Sequence, residues 1–282
     1  MRSARESLGR SGSGGVEPAG RDPWRSGPVG WNLPSPAVQR HLLHPWRVSR
    51  PEATAIQQRL AQEVVLAALP ARGQGSPRYA AGVDVAYSKD SGWAWAVAVV
   101  MDRRFDVVAT AVAQGEPDAP YVKGYLAFRE GRLSLEALSA LAIAPELVFV
   151  DGHGVVHERG LGLASHLGVL LGLPTIGVPK TPFHPVERQP GPRRGDYYLL
   201  TKEWGAQGAA IRLKTRSKPV YVSPGHLVDL SSAVELALVW STGRHRVPEP
   251  LSLAHTLSLE ARNAGAKTGG VTSGQVASGP SV

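Results

Sequence analysis

The run Val148-Phe149-Val150-Asp151-Gly152-His153-Gly154 is apolar until it delivers a carboxylate into a glycine turn. A buried strand ends on Asp only where that carboxylate has a partner, because an unpaired buried charge is costly. Upstream, Gly82-Val83-Asp84-Val85-Ala86-Tyr87 sets Asp84 among small and β-branched residues, and Phe128-Arg129-Glu130 puts a third acid near the start of a helical run. Carboxylates carried by separate core elements suit a hard, oxygen-seeking cation such as Mg²⁺, with Mn²⁺ as a substitute.

The elements that must position these acids follow from periodicity. Residues 51–69 carry apolar side chains at Ile56, Leu60, Val64, Val65 and Leu69, the pattern of an amphipathic helix with Pro51 and Glu52 at its start. Three strand-like segments follow, 79–87, 93–101 and 105–113, joined by turns at Asp90-Ser91-Gly92 and Asp102-Arg103-Arg104, which predicts an antiparallel meander. The pattern then alternates: helix 124–142, strand 147–151, helix 160–171, strand 175–178. That order implies parallel strands with right-handed crossovers. Strands at 197–201, 209–213 and 219–223 and helices at 231–242 and 251–262 complete the chain. A meander followed by αβαβ is the layout of the ribonuclease H-like fold, an α/β mixed sheet flanked by helices. Ligands in such sheets gather at the carboxyl ends of the parallel strands, where Asp84 and Asp151 become neighbours.

Composition bounds the setting. The chain has 282 residues, 43% of them hydrophobic, and no cysteine, so disulfides and thiolate metal sites are excluded. Residues 1–43 and 263–282 are rich in Gly, Ser and Pro and lack a sustained period, and are expected to be disordered tails around a catalytic domain at 44–262. No apolar run spans a membrane and no signal peptide is evident, so a cytoplasmic monomer without a membrane partner is expected. Residues 1–50 carry +5 of the net charge of +8. Within the core, Arg193, Arg194, Lys202, Arg212, Lys214 and Arg216 face few acids, and this stretch reads equally as a phosphate-backbone surface or an ordinary solvated face.

Six blocks together resemble the endonuclease V (deoxyinosine 3′ endonuclease) family: Gly82 to Tyr87; Pro120-Tyr121-Val122-Lys123-Gly124-Tyr125-Leu126-Ala127-Phe128-Arg129-Glu130; Val150 to His157 running into Gly162-Leu163-Ala164-Ser165-His166; Ile176-Gly177-Val178-Pro179-Lys180; Ser223-Pro224-Gly225-His226; and Arg246-Val247-Pro248-Glu249-Pro250 ending in Ala254-His255. The resemblance implies metal ligation by Asp84, Glu130 and Asp151, and active-site roles for Lys180 and His255. It implies a wedge at Tyr121 and a pocket for an everted base walled by Gly124, Leu126, Gly152 and Gly162, with His157 beside it. It also implies Mg²⁺-dependent hydrolysis of the second phosphodiester 3′ to a deaminated base, chiefly hypoxanthine, in DNA.

The alternatives are an inosine-specific endoribonuclease and a ribonuclease H-like nucleic-acid-binding protein without lesion specificity. Each residue also has a plainer reading: capped or paired Asp, a surface Glu130, structural imidazoles at His157 and His255, a core Tyr121. His153, His166 and His226 are taken as structural. Two positions depart from the family: Lys123 stands where the wedge usually has a second proline, and Ser252 where relatives commonly have Arg.

Overall fold

A computed structural model describes residues 38–202 and 205–268. Strands β1 (Ala80–Tyr87), β2 (Ala94–Met101) and β3 (Val107–Gly115) form an antiparallel meander. Helices α2 (Leu126–Ser139) and α3 (Leu163–Leu171) then alternate with β4 (Leu147–Val150) and β5 (Thr175–Gly177), which run parallel to β1. Strands β6 (Tyr197–Lys202), β7 (Gly205–Ile211) and β8 (Val220–His226) extend the sheet antiparallel, giving the order β3-β2-β1-β4-β5-β8-β7-β6. The first five strands in that order are the ribonuclease H-like core. Among the described residues, no helix is long and apolar enough to cross a membrane.

Both faces of the sheet are covered, which is why β2 and β4 read as continuous apolar runs instead of alternating. Ala81 and Val83 of β1 and Val148 and Val150 of β4 face one core with Phe128 of α2 and Leu167 of α3. Ala80, Leu147 and Phe149 face the other, under α4 (Leu230–Val239) and α5 (Glu249–Thr268).

Several expected boundaries move for physical reasons. The first helix, α1, covers Arg50–Ala61, not 51–69. Val65 instead bridges to the far end of β8, its N–H donating to His226 Nδ1 at 3.2 Å and its carbonyl accepting from Leu227 N–H at 2.7 Å. The third strand begins at Val107, two residues late, because Asp102 draws the N–H groups of Arg104 and Asp106 into a turn. Most of 1–43 and 263–282 lies outside the described residues. At the inner margins, Leu42 is buried, Gln39 N–H bonds Leu170 O at 2.8 Å, and α5 continues to Thr268. The fold therefore extends past both expected limits. Trp95 is buried, its Nε1–H donating to Gln114 Oε1 at 2.8 Å, so it packs the core.

A buried imidazole pair anchors the N-terminal segment to α3. His44 Nδ1 donates to Pro45 O at 2.8 Å, which makes its Nε2 the acceptor for His166 Nε2–H at 2.6 Å. Burial lowers the pKa of both rings, most strongly for His166, and Arg59 adds to the effect. A histidine with its folded pKa below 6.5 is fully stabilising above the unfolded value, and that stability is lost as pH falls toward the folded one. The expected outcome is that wild type loses unfolding free energy relative to His44→Gln as pH drops below 6.5. The difference should approach about 1.4 kcal/mol per pH unit for one proton. Denaturant titrations at several pH values measure it, and parallel curves for the two proteins would contradict the buried-pair account.

Candidate active site

The parallel register of β1 and β4 pairs Ala80 with Leu147 through Val83 with Val150, so one residue further Asp84 comes beside Asp151 at the carboxyl ends. The Asp151 N–H bonds Val83 O at 3.4 Å. Both Asp residues continue the sheet face that carries Ala80, Leu147 and Phe149, the face covered by α5. A Cβ on Gly82 would lie 2.3 Å from Leu251 N, so glycine lets the first turn of α5 rest on β1. Two residues along the strand advance about 6.6 Å and four along the helix about 6 Å, which brings His255 opposite Asp84.

Donor atoms of Asp84, Asp151 and His255 all lie within 4.8 Å of one another. His255 Nδ1–H donates to Asp84 Oδ2 at 2.5 Å, since a carboxylate oxygen can only accept. Lys180, three residues past β5, sets its Nζ 2.5 Å from Asp151 Oδ2. Glu130 approaches from α2, in the opposite layer. Its carboxylate accepts from Tyr87 Oη at 2.9 Å and is not one of the three clustered donors. Burial raises the pKa of Glu130 to about 8, and the nearby charges of Asp84 and Asp151 push the same way. Asp151 is also raised, by burial first and then by Asp84. Burial together with mutual repulsion disfavours the charged forms of these acids, and among the described residues Lys180 is ion-paired to the group, at Asp151. An oxygen-rich donor set short of positive charge fits a divalent cation.

Beside this cluster lies a recess of about 270 Å³ including its open mouth, lined by Gln57, Gly124, Leu126, His157, Gly162 and Phe183 among others. Gly124, with φ of 83°, presents its carbonyl to three donors: Gln57 Nε2 at 3.0 Å, Arg159 Nη2 at 2.8 Å and His157 Nε2 at 3.0 Å. His157 must therefore carry its proton on Nε2, while Nδ1 accepts from Arg159 N–H at 3.2 Å. Burial lowers its pKa to about 4, so the ring is neutral near pH 7. Both of its nitrogens thus fix the wall of the recess. Gly162 is required by packing: a Cβ there would stand 2.3 Å from His153 O. Gly152 does not line the recess; Leu163 packs against it. Tyr121 is 68% exposed and is no part of the core. Lys123 is exposed and places its Nζ 4.9 Å over the Phe183 ring.

Gln57, Arg159, Phe183 and Tyr87 were not singled out from sequence. Gln57, a polar residue on the buried side of α1, carried the one available signal, since a buried amide needs partners. Of the six core cations, Arg194 and Arg212 are committed to backbone carbonyls at Leu238, Ser241, Pro190 and Gly191. Arg193, Lys214 and Arg216 are exposed. The basic stretch is therefore partly a loop clamp and partly an open cationic face.

Residues 58–256 match the Endonuclease V family model. An endonuclease V from Kosmotoga olearia is 40% identical over 222 residues, covering 78% of this chain and 95% of that protein. The crystal structure of the Streptomyces avermitilis endonuclease V is 43% identical with a TM-score of 0.72, covering 78% of this chain and 96% of that one. A Ciona intestinalis endonuclease V variant, solved with a 23mer DNA containing an inosine followed by a ribo-adenosine, is 25% identical with a TM-score of 0.66, covering 77% and 99%. With the ribonuclease H-like sheet and the carboxylate cluster at its strand ends, these likenesses establish that the chain is an endonuclease belonging to the endonuclease V family.

Proposed function

We propose that the protein recognises a deaminated base, chiefly hypoxanthine, in DNA and hydrolyses the second phosphodiester 3′ to it, leaving 3′-hydroxyl and 5′-phosphate ends. The observation that carries this reading is the Asp84, Asp151, His255 and Lys180 cluster set beside a recess, with His153, two residues past Asp151, lining that recess. Asp84 and Asp151 would hold Mg²⁺, joined by Glu130 once its proton leaves, and His255 would orient Asp84. A bound Mg²⁺ supplies charge that stabilises a leaving oxygen and acidifies water. Lys180 holds a fixed positive charge beside Asp151, suited to a phosphate oxygen. The recess of Gly124, Leu126, Gly162 and His157 receives the everted base, and Gly152 supports it by letting Leu163 close in.

The test compares cleavage of labelled inosine-containing and undamaged strands, as DNA and as RNA, with Mg²⁺ or with EDTA. Cleavage confined to inosine-containing DNA with metal present is expected, and equal cutting of undamaged strands would contradict the reading.

Tyr121 fills the gap left by the everted base in this account. Tyr121→Ala should narrow the ratio of inosine to normal duplex cleavage by roughly tenfold, the size of one lost stacking contact, and spare single-stranded substrate. Its exposure predicts an unchanged melting temperature. An unchanged cleavage ratio would remove Tyr121 from recognition.

A further inference from the structure

A second and larger concavity adjoins the recess. It measures about 730 Å³ including its open mouth and lies over β6, β7 and β8. Phe183 and His153 line both cavities, so one wall divides them. That wall is held from several sides: the Phe183 ring meets His153 edge-on at 5.2 Å, His157 at 5.0 Å and His184 at 4.9 Å, and Lys123 lies over it.

The far side of the partition is lined by Tyr198, Tyr221, Glu187 and Gln207. Aromatic rings offer stacking surface, and a carboxylate and an amide can accept or donate at the edge of a base. Arg188 lies 4.4 Å over the Tyr198 ring. The exposed Arg193, Lys214, Arg216 and Lys218 occupy the turns at one end of the same strands. Stacking rings with cations alongside form a platform for single-stranded nucleic acid. Pro182 to Glu187, which follow Lys180 in the chain, line it, so a strand leaving the carboxylate cluster along this segment would reach the cleft.

We propose that this cleft holds a second unstacked nucleobase, the neighbour of the everted base on the same strand. The inference rests on the lesion-recess reading above and adds a site to it. With the partition between them, the two bases are seated on opposite sides of Phe183, and recognition depends on a base that is not itself damaged.

The test uses the full chain and single-stranded deoxyinosine oligonucleotides, each lacking one base at a single position flanking the inosine. Wild type should lose roughly tenfold in kcat/KM at one adjacent position and little elsewhere, as expected for one lost base stack. In a Glu187→Gln, Tyr198→Leu variant that same substrate should be cleaved almost as well as the intact oligonucleotide. Gln207→Ala provides a second variant should the first fold poorly, and melting temperatures check both. Loss at no adjacent position, or the same tenfold loss in the variants, overturns the second-base site. The inosine-to-undamaged ratio of wild type on these oligonucleotides tests the underlying lesion reading separately.

Discussion

Asp84→Asn and Asp151→Asn should each slow cleavage by about a thousandfold or more and leave binding of inosine-containing strands nearly intact. Each change exchanges a ligand oxygen anion for an amide of similar shape in a cluster whose donors lie within 4.8 Å. Losing several kcal/mol of charge stabilisation corresponds to that factor at about 1.4 kcal/mol per decade. Metal-free Asp84→Asn protein should melt no lower, because Asp84 is among the charges that raise Glu130 and Asp151, and removing it relieves repulsion. Single-turnover cleavage, filter binding and thermal melts together separate lost chemistry from lost folding. Either variant cleaving near the wild-type rate would remove its carboxylate from the centre.

The second large effect comes from a residue that touches no substrate. Gly82→Ala puts a Cβ 2.3 Å from both Leu251 N and Pro250 C, backbone atoms that cannot rotate away. Helix α5 must lift, which should cost about 1–3 kcal/mol. It also carries His255 off Asp84, and a displacement near 1 Å can cost about a hundredfold in rate. Gly115→Ala is the matched control, since its Cβ would meet Leu133 at an ordinary 3.6 Å. Melting temperature and kcat measured for both should show both falling for Gly82→Ala and neither for the control. A Gly82→Ala protein indistinguishable from the control would mean that the strand and helix do not set the centre.

The acids were legible in the sequence because an apolar strand that ends on Asp leaves few explanations, and Asp84 and Asp151 do meet through the β1–β4 register. What pairing adds could not be read locally. Val64, Val65 and Leu69 fit a helical stripe, yet Val65 is bonded to residues more than 160 positions away, and that tertiary pairing ends α1 early. Glu130 was legible as an acid near a helix start, but its Tyr87 partner and raised pKa arise only when α2 packs against the end of β1. The resemblance put Gly152 and Gly162 at the wall of a base pocket; Gly162 lines the recess and Gly152 does not, and a Cβ on either would crowd His153 or Leu163, contacts that only the folded loop shows. Arg194 and Arg212 looked like free cations because the carbonyls they hold belong to other loops.

The central claim is that the Asp84 and Asp151 centre cuts at a fixed offset from a base held in the adjoining recess. The measurement that tests it most directly is a cleavage map of an end-labelled DNA strand with one inosine, cut by the full chain with Mg²⁺ and resolved to the nucleotide. The account predicts one product, ending at the second phosphodiester 3′ to inosine with a 3′-hydroxyl. Cuts scattered along the strand, or placed without regard to the inosine, would contradict it.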